Sequence, residues 1–305
     1  MNRVVSSIAF IASSGMASVA LAQAQTVNAA SGGYGLPGVN GNIQNDEYGP
    51  GNSYRYGVSL GTGRTPTASV TLTGAATTGA GGGGSFNGVA GQAQVFMNSS
   101  GGANPVLTIG FLPGATLFNV FVMYLDTRVG GINGANQATD GTDGSRRAIT
   151  ALLRTNTSLP ATFDPDYAVV FSLSGTFLFQ IDTFAGGLAG ASRSAYGFVN
   201  ILNTPGFSST GSTNSSDAFR ELQVPYAALG VTVLDTAIDF AVGLSSESGF
   251  VSSETLPASA NYNAAGNPGF SGGAQWTSFN RFIPTPGASA LLALGGILAS
   301  RRRRT

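Results

Sequence analysis

Two carboxylates separated by a single proline, Asp164 and Asp166 in Phe163-Asp164-Pro165-Asp166-Tyr167, are the candidate pair of proton-exchanging groups. Two carboxylates suffice for glycoside hydrolysis. The same five residues also spell a loop turn around Pro165, since Asp and Pro are common turn formers. A second acidic group, Asp140-Gly141-Thr142-Asp143-Gly144 with Asp126 upstream, offers hard oxygen ligands of the kind calcium takes. Its spacing is not that of an EF-hand, and Asp-Gly pairs also form solvated turns. The expectation is therefore no required cofactor, with calcium as the one ion for which ligands (Asp126, Asp140, Asp143) are on offer.

Sugar recognition by a β-sandwich needs exposed aromatic faces ringed by amides and carboxylates, and the candidates are Trp276, Tyr48, Tyr54, Tyr56 and Tyr262. Around the single Trp, residues 275–283 alternate Trp276, Ser278, Asn280 and Phe282 on one face against Thr277, Phe279 and Arg281 on the other. A lone Trp is more often a core residue, because burying so large an apolar ring stabilises a fold.

Other chemistries fall away on composition. The chain has no Cys, His or Lys, and all 14 basic residues are Arg. Without His or Cys there is no Ser-His-Asp triad, thiolate nucleophile, ordinary zinc site or common haem ligation. Without Lys there is no Schiff base and no P-loop lysine. Disulfides are excluded as well, so an exported domain must rest on its apolar core. Setting aside Arg3 and the arginine run at 301–304 leaves nine Arg against 14 acidic residues, a balance of −5. That charge argues against nucleic acid as a partner, because phosphate neutralisation needs clustered positive charge. The internal doublet Arg146-Arg147 reads as a solvated loop face.

Both ends read as addresses. Arg3, the apolar stretch 4–12 and the small-residue series Ala20-Leu21-Ala22-Gln23-Ala24 have the order of a signal peptide, with cleavage expected after Ala22 or Ala24. The export machinery is thus the first expected partner. At the other end, Pro284-Thr285-Pro286-Gly287 breaks the chain ahead of the apolar run 288–299, and Arg301, Arg302, Arg303 and Arg304 follow. The 14 residues from Gly287 to Ser300 would make a helix of about 21 Å, short for a hydrocarbon core of about 30 Å. A transient membrane contact, ended by cleavage near 284–287, fits that length better than a lasting anchor.

Residues 283–304 resemble the PEP-CTERM sorting signal of bacterial exported proteins, in which a Pro-Glu-Pro-like motif precedes a hydrophobic helix and an arginine cluster. The resemblance implies handling by an exosortase-type transpeptidase and delivery to the cell surface or an exopolysaccharide-rich matrix. Thr285 stands where the best-known form carries Glu, which makes this a Pro-x-Pro-Gly variant.

Between the addresses lie about 260 residues, enough for one large domain. Forty-five glycines, with many Ser, Thr and Asn, punctuate short β-branched and aromatic runs. Strands are expected at 54–60, 69–73, 92–97, 106–112, 117–126, 167–173, 176–182, 195–202, 220–224, 237–244 and 275–283. The segment 117–126 is apolar nearly throughout, as a central strand buried on both faces would be. Residues 148–153 fit strand or helix, and 79–84 and 206–216 read as loops. Pro225 should end a strand and start a short helical turn, with Leu229 turned inward and Gly230 at positive φ. The expected fold is all-β, a two-sheet antiparallel sandwich over 25–282, flanked by a signal peptide (1–24) and a sorting segment (283–305).

Three segments resemble family 9 carbohydrate-binding modules and related DOMON-like sandwiches of jelly-roll type. They are Gly41-Asn42-Ile43-Gln44-Asn45-Asp46-Glu47-Tyr48, the strand at 120–126 with Thr127, and Leu222-Gln223-Val224-Pro225-Tyr226-Ala227-Ala228-Leu229-Gly230. The resemblance implies a sugar-binding sandwich. The expected function is that of an exported, non-enzymatic surface or matrix protein in contact with extracellular polysaccharide. A calcium-assisted carbohydrate-binding module and a carboxylate glycoside hydrolase are the alternatives.

Overall fold

The computed structural model describes residues 26–28, 54–55, 58–59, 69–71, 94–99, 104–112, 120–132, 140–153, 159–172, 174–182, 199–201, 208–210, 220–231, 236–257 and 275–284. Their β-branched and aromatic runs form β1 (Thr26–Asn28), β2 (Tyr54–Arg55), β3 (Val58–Ser59), β4 (Ser69–Thr71), β5 (Gln94–Ser99), β6 (Val106–Leu112) and β7 (Val120–Asp126). One helix, α1 (Gly144–Leu152), precedes β8 (Tyr167–Ser172), β9 (Gly175–Gln180), β10 (Val199–Asn200), β11 (Ser208–Thr210) and β12 (Arg220–Pro225). After a 3-10 turn at Tyr226–Leu229 come β13 (Ile238–Ser245), β14 (Val251–Leu256) and β15 (Asn280–Ile283).

Eight strands form one sheet in the order β1-β15-β13-β7-β8-β9-β10, with β14 sharing the edge of β13 that β15 leaves uncovered. Five form a second, β11-β12-β6-β5-β4, and β2 and β3 make a separate hairpin. Among the described residues all pairings are antiparallel except β1 with β15. The expectation of a mostly antiparallel two-sheet β-fold holds.

Period-two alternation sorts the side chains of β7 into two cores. Phe121, Met123 and Leu125 face the five-stranded sheet, where they meet Leu107, Ile109 and Phe111 of β6 and Leu222 and Val224 of β12. Val120, Val122 and Tyr124 face the other way and pack under Ala148, Ile149 and Leu152 of α1. The apolar run of β7 is thus a strand buried on both faces, and the molecule has a third layer, the helix. Residues 148–153, ambiguous as sequence, belong mainly to this helix. Asp143 decides its start by accepting a hydrogen bond from Arg146 N at 2.8 Å, the usual role of an N-cap. Tyr124 Oη donates to Ile149 O at 2.7 Å and ties the helix to the central strand. Gly243 lets α1 sit close, since a Cβ there would lie 2.6 Å from Leu152 Cδ2.

The Pro225 turn forms as expected. Pro225 closes β12, Leu229 is fully buried, and Gly230 takes φ 69°. The Arg doublet differs from expectation. Arg146 and Arg147 lie on α1, and the Arg146 guanidinium sits 4.7 Å above the Phe179 ring instead of on a solvated loop.

Candidate functional site

Two polar constellations stand out, one at the carboxyl end of β7 and one beside α1. The first gathers carboxylates. Asp126 ends β7 directly across from Asp239 of β13, whose other neighbour is Arg281 of β15. Arg281 binds Asp239 through both ends of its fork, Nε to Oδ1 at 2.6 Å and Nη2 to Oδ2 at 2.8 Å. Asp126 has no such cation among the described residues; its Oδ2 accepts the Asp164 N–H at 3.0 Å. Burial, followed by repulsion from Asp166, Asp239 and Asp164, outweighs that hydrogen bond and lifts its pKa to about 7.

Asp166 is fully buried and spends its oxygens on the chain that leaves β7. Its Oδ2 accepts from Thr127 N at 2.9 Å, Thr127 Oγ1 at 3.2 Å and Arg128 N at 3.1 Å. Its Oδ1 takes Arg128 Nε at 3.3 Å. Burial pushes this carboxyl above its usual range, and the donors pull it back. Arg128 also grips Asp182 and covers the Tyr167 ring at 5.2 Å. Asp164 and Asp166 therefore do different things. Asp166 is a sealed structural acceptor, and Asp164 is a half-buried group raised only by burial.

The calcium candidates are already engaged by protein donors, Asp140 and Asp143 by the same Arg146. Asp140 Oδ1 accepts from Thr142 N (2.9 Å) and Thr142 Oγ1 (2.6 Å), and its Oδ2 lies 3.3 Å from Arg146 Nε. Asp143 caps α1 and pairs with Arg146, whereas Asp126 faces Asp164. Among the described residues no three carboxylates converge as a metal would need.

The second constellation is an open cleft of about 350 Å³ lined by Asp143, Arg146, Ser174, Phe177, Phe179 and Glu247. Phe177 and Phe179 stack with ring centroids 5.9 Å apart, and Arg146 is braced over Phe179 by Asp140 and Asp143. Arg147 Nε donates to Glu247 O at 2.8 Å, which fixes the chain that carries the Glu247 side chain to the rim. The partly buried Phe177 ring, two carboxylates, a guanidinium and the Ser174 hydroxyl share one concavity, while Phe179 is buried behind them beneath Arg146. Such a site can hydrogen-bond several hydroxyls of a polar ligand while an apolar face rests on Phe177.

Comparison with family models, with curated proteins and with solved structures finds no match. What the site can bind follows from its own geometry.

That geometry moves the aromatic expectation. Trp276 is wholly buried, 5.8 Å from Tyr124 in an edge-on contact, and offers solvent no face. As a candidate ligand platform it is corrected to a core residue, because the underside of α1 needs a large ring to fill it. Tyr54 lies on β2, while Tyr48, Tyr56 and Tyr262 fall outside the described residues, as do Ala22, Ala24, Thr285, Pro286, Gly287 and Arg301 to Arg304. Pro284 is described and buried immediately after β15. Among the described residues no helix is long and apolar enough to cross a membrane. The cleft-lining ring not singled out in the sequence is Phe177, stacked on the buried Phe179. Alternation in Gly175-Thr176-Phe177-Leu178-Phe179-Gln180 already put both rings on one face.

Proposed function

We propose that this is an exported, non-enzymatic cell-surface or matrix protein that is sorted by an exosortase-type system and binds exopolysaccharide. The supporting observation is where the paired strands begin and end. β1 starts two residues after Ala24 and pairs with β15, which stops at Ile283, directly before Pro284. The sheet thus ends at the first residue of the 283–305 segment, before the expected cut at 284–287, and cutting at either address would leave its strands whole. Glycan contact is assigned to the cleft of Phe177, Arg146 and Glu247, on a sandwich of jelly-roll, DOMON-like type.

Intact mass of the protein recovered from the surface and medium of its own host tests the sorting. The expected species begins at Gln23 or Gln25 and ends between 284 and 287. A species that retains Arg301 to Arg304 overturns the sorting step. Retention on the host's matrix polysaccharide tests the cleft, with Phe177→Ala expected to lose at least tenfold in affinity while its melting temperature stays within a few degrees. Unchanged retention would remove the cleft from the reading.

A further inference from the structure

Arg220 opens β12 and stands directly across from Phe111 of β6. Leu222 and Val224, two and four residues on, face the inter-sheet core, so alternation turns Arg220 the same way. The side chain is fully buried, and its Nη1 crosses to the other sheet to donate to Ser172 O, the last carbonyl of β8. Among the described residues, Nε and Nη2 meet no acceptor. Thr176, cross-strand partner of Phe171, presents another buried donor, Oγ1, that also meets none. The rings of Phe111, Phe121 and Phe171 form one stack beside them, with centroids 4.1 to 6.0 Å apart.

A guanidinium keeps its charge, and a charge shut between two sheets is costly unless it is paired; none of the ion pairs among the described residues includes Arg220. The two unused donors are not arbitrary. Nε–H and Nη2–H lie parallel on one edge of the planar group, the fork that receives both oxygens of a carboxylate. We propose that Arg220 anchors a carboxylate-binding site at the β8–β9 hairpin end of the sandwich. Thr176 Oγ1 serves as a third donor, and the Phe111, Phe121 and Phe171 rings form an apolar border. The carboxylate could come from a small free acid or from a uronic acid of an acidic polysaccharide. This site shares no residue with the cleft beside α1. Because the guanidinium is shielded from solvent, added salt should weaken this contact less than it weakens a surface ion pair.

The test is the melting temperature of the full chain titrated with sodium acetate and with sodium galacturonate, against galactose and against sodium chloride at matched ionic strength. The expected result is a saturable rise of several degrees with the carboxylates and none with galactose or chloride. A midpoint at least tenfold lower for galacturonate than for acetate assigns the site to uronic acids, and equal midpoints assign it to small carboxylates. Arg220→Lys, which keeps the charge but loses the fork, should lose most of the response. Arg220→Met, which removes the buried charge, should fold and show no response. No rise with either carboxylate, or an equal rise in Arg220→Met, overturns the proposal.

Discussion

Replacing Asp126 by Asn should stabilise the protein at neutral pH and leave it unchanged in acid. Its folded pKa of about 7 stands about three units above the ordinary aspartate value of 3.8. The folded protein therefore holds a proton that the unfolded chain releases. Stability is lost as pH rises from about 4 to about 7 and is flat above that. At about 1.36 kcal/mol per unit the ceiling is about 4 kcal/mol. Asp126 retains partial contact with water, whose screening brings the working figure to about 2 kcal/mol. The Asp126→Asn side chain would keep an oxygen to accept the Asp164 N–H while ending the repulsion from Asp166 and Asp239. Thermal melts from pH 4 to pH 8 should show Asp126→Asn superimposed on the parent at pH 4 and higher by about 4–8 °C at pH 8. A variant that is less stable at pH 8 would mean that the carboxylate is held ionised by something stronger than its burial, and one offset equally at every pH would mean that its pKa is the same folded and unfolded; either result would refute the reasoning.

Two further perturbations test how the layers are held. Tyr124→Phe removes the hydrogen bond to Ile149 O and leaves that buried carbonyl one donor short; urea unfolding should show a loss of about 1–2 kcal/mol. Trp276→Ala should cost about 3–5 kcal/mol with or without polysaccharide present, whereas Trp276→Phe, which keeps a ring against Tyr124, should cost less than half of that.

Where apolar runs were long, the sequence was sufficient. The strand at 106–112 has the same bounds in the structure, and β7 is buried on both faces as its unbroken apolar run demands. The Pro225 turn was legible because Pro and Gly act locally. β14 was not, since Val-Ser-Ser-Glu-Thr-Leu carries little strand signal and forms by covering the part of β13 that β15 leaves open. β11 lies inside a stretch that reads as loop, and is held by pairing with β12. α1 was obscured because Asp140-Gly141-Thr142-Asp143-Gly144 reads as an acidic turn, although Asp143 supplies the cap that starts the helix. At the cleft, burial decides. Trp276, readable in the sequence as core or as ligand platform, fills the space beneath the helix, and the partly buried Phe177 ring lines the concavity instead.

The fate of the arginines ties these observations together. In a chain whose every basic residue is Arg, the guanidinium fork is the only cationic side-chain device available, and the described examples show how it is used. Arg128 bridges Asp166 and Asp182, Arg146 bridges Asp140 and Asp143, and Arg281 clasps Asp239. Each is at least partly open to water, where a pair contributes little but costs little. Arg147, exposed, makes do with the carbonyls of Glu247 and Gly141. Arg220 reverses the pattern, being the most deeply buried of the five yet bonded, among the described residues, only to the Ser172 carbonyl. Desolvation is most severe where compensation is least, so a purely structural role would favour Met or Leu at this position over Arg. Among the described residues no carboxylate pairs with that guanidinium, and one that did would offset the cost of its burial.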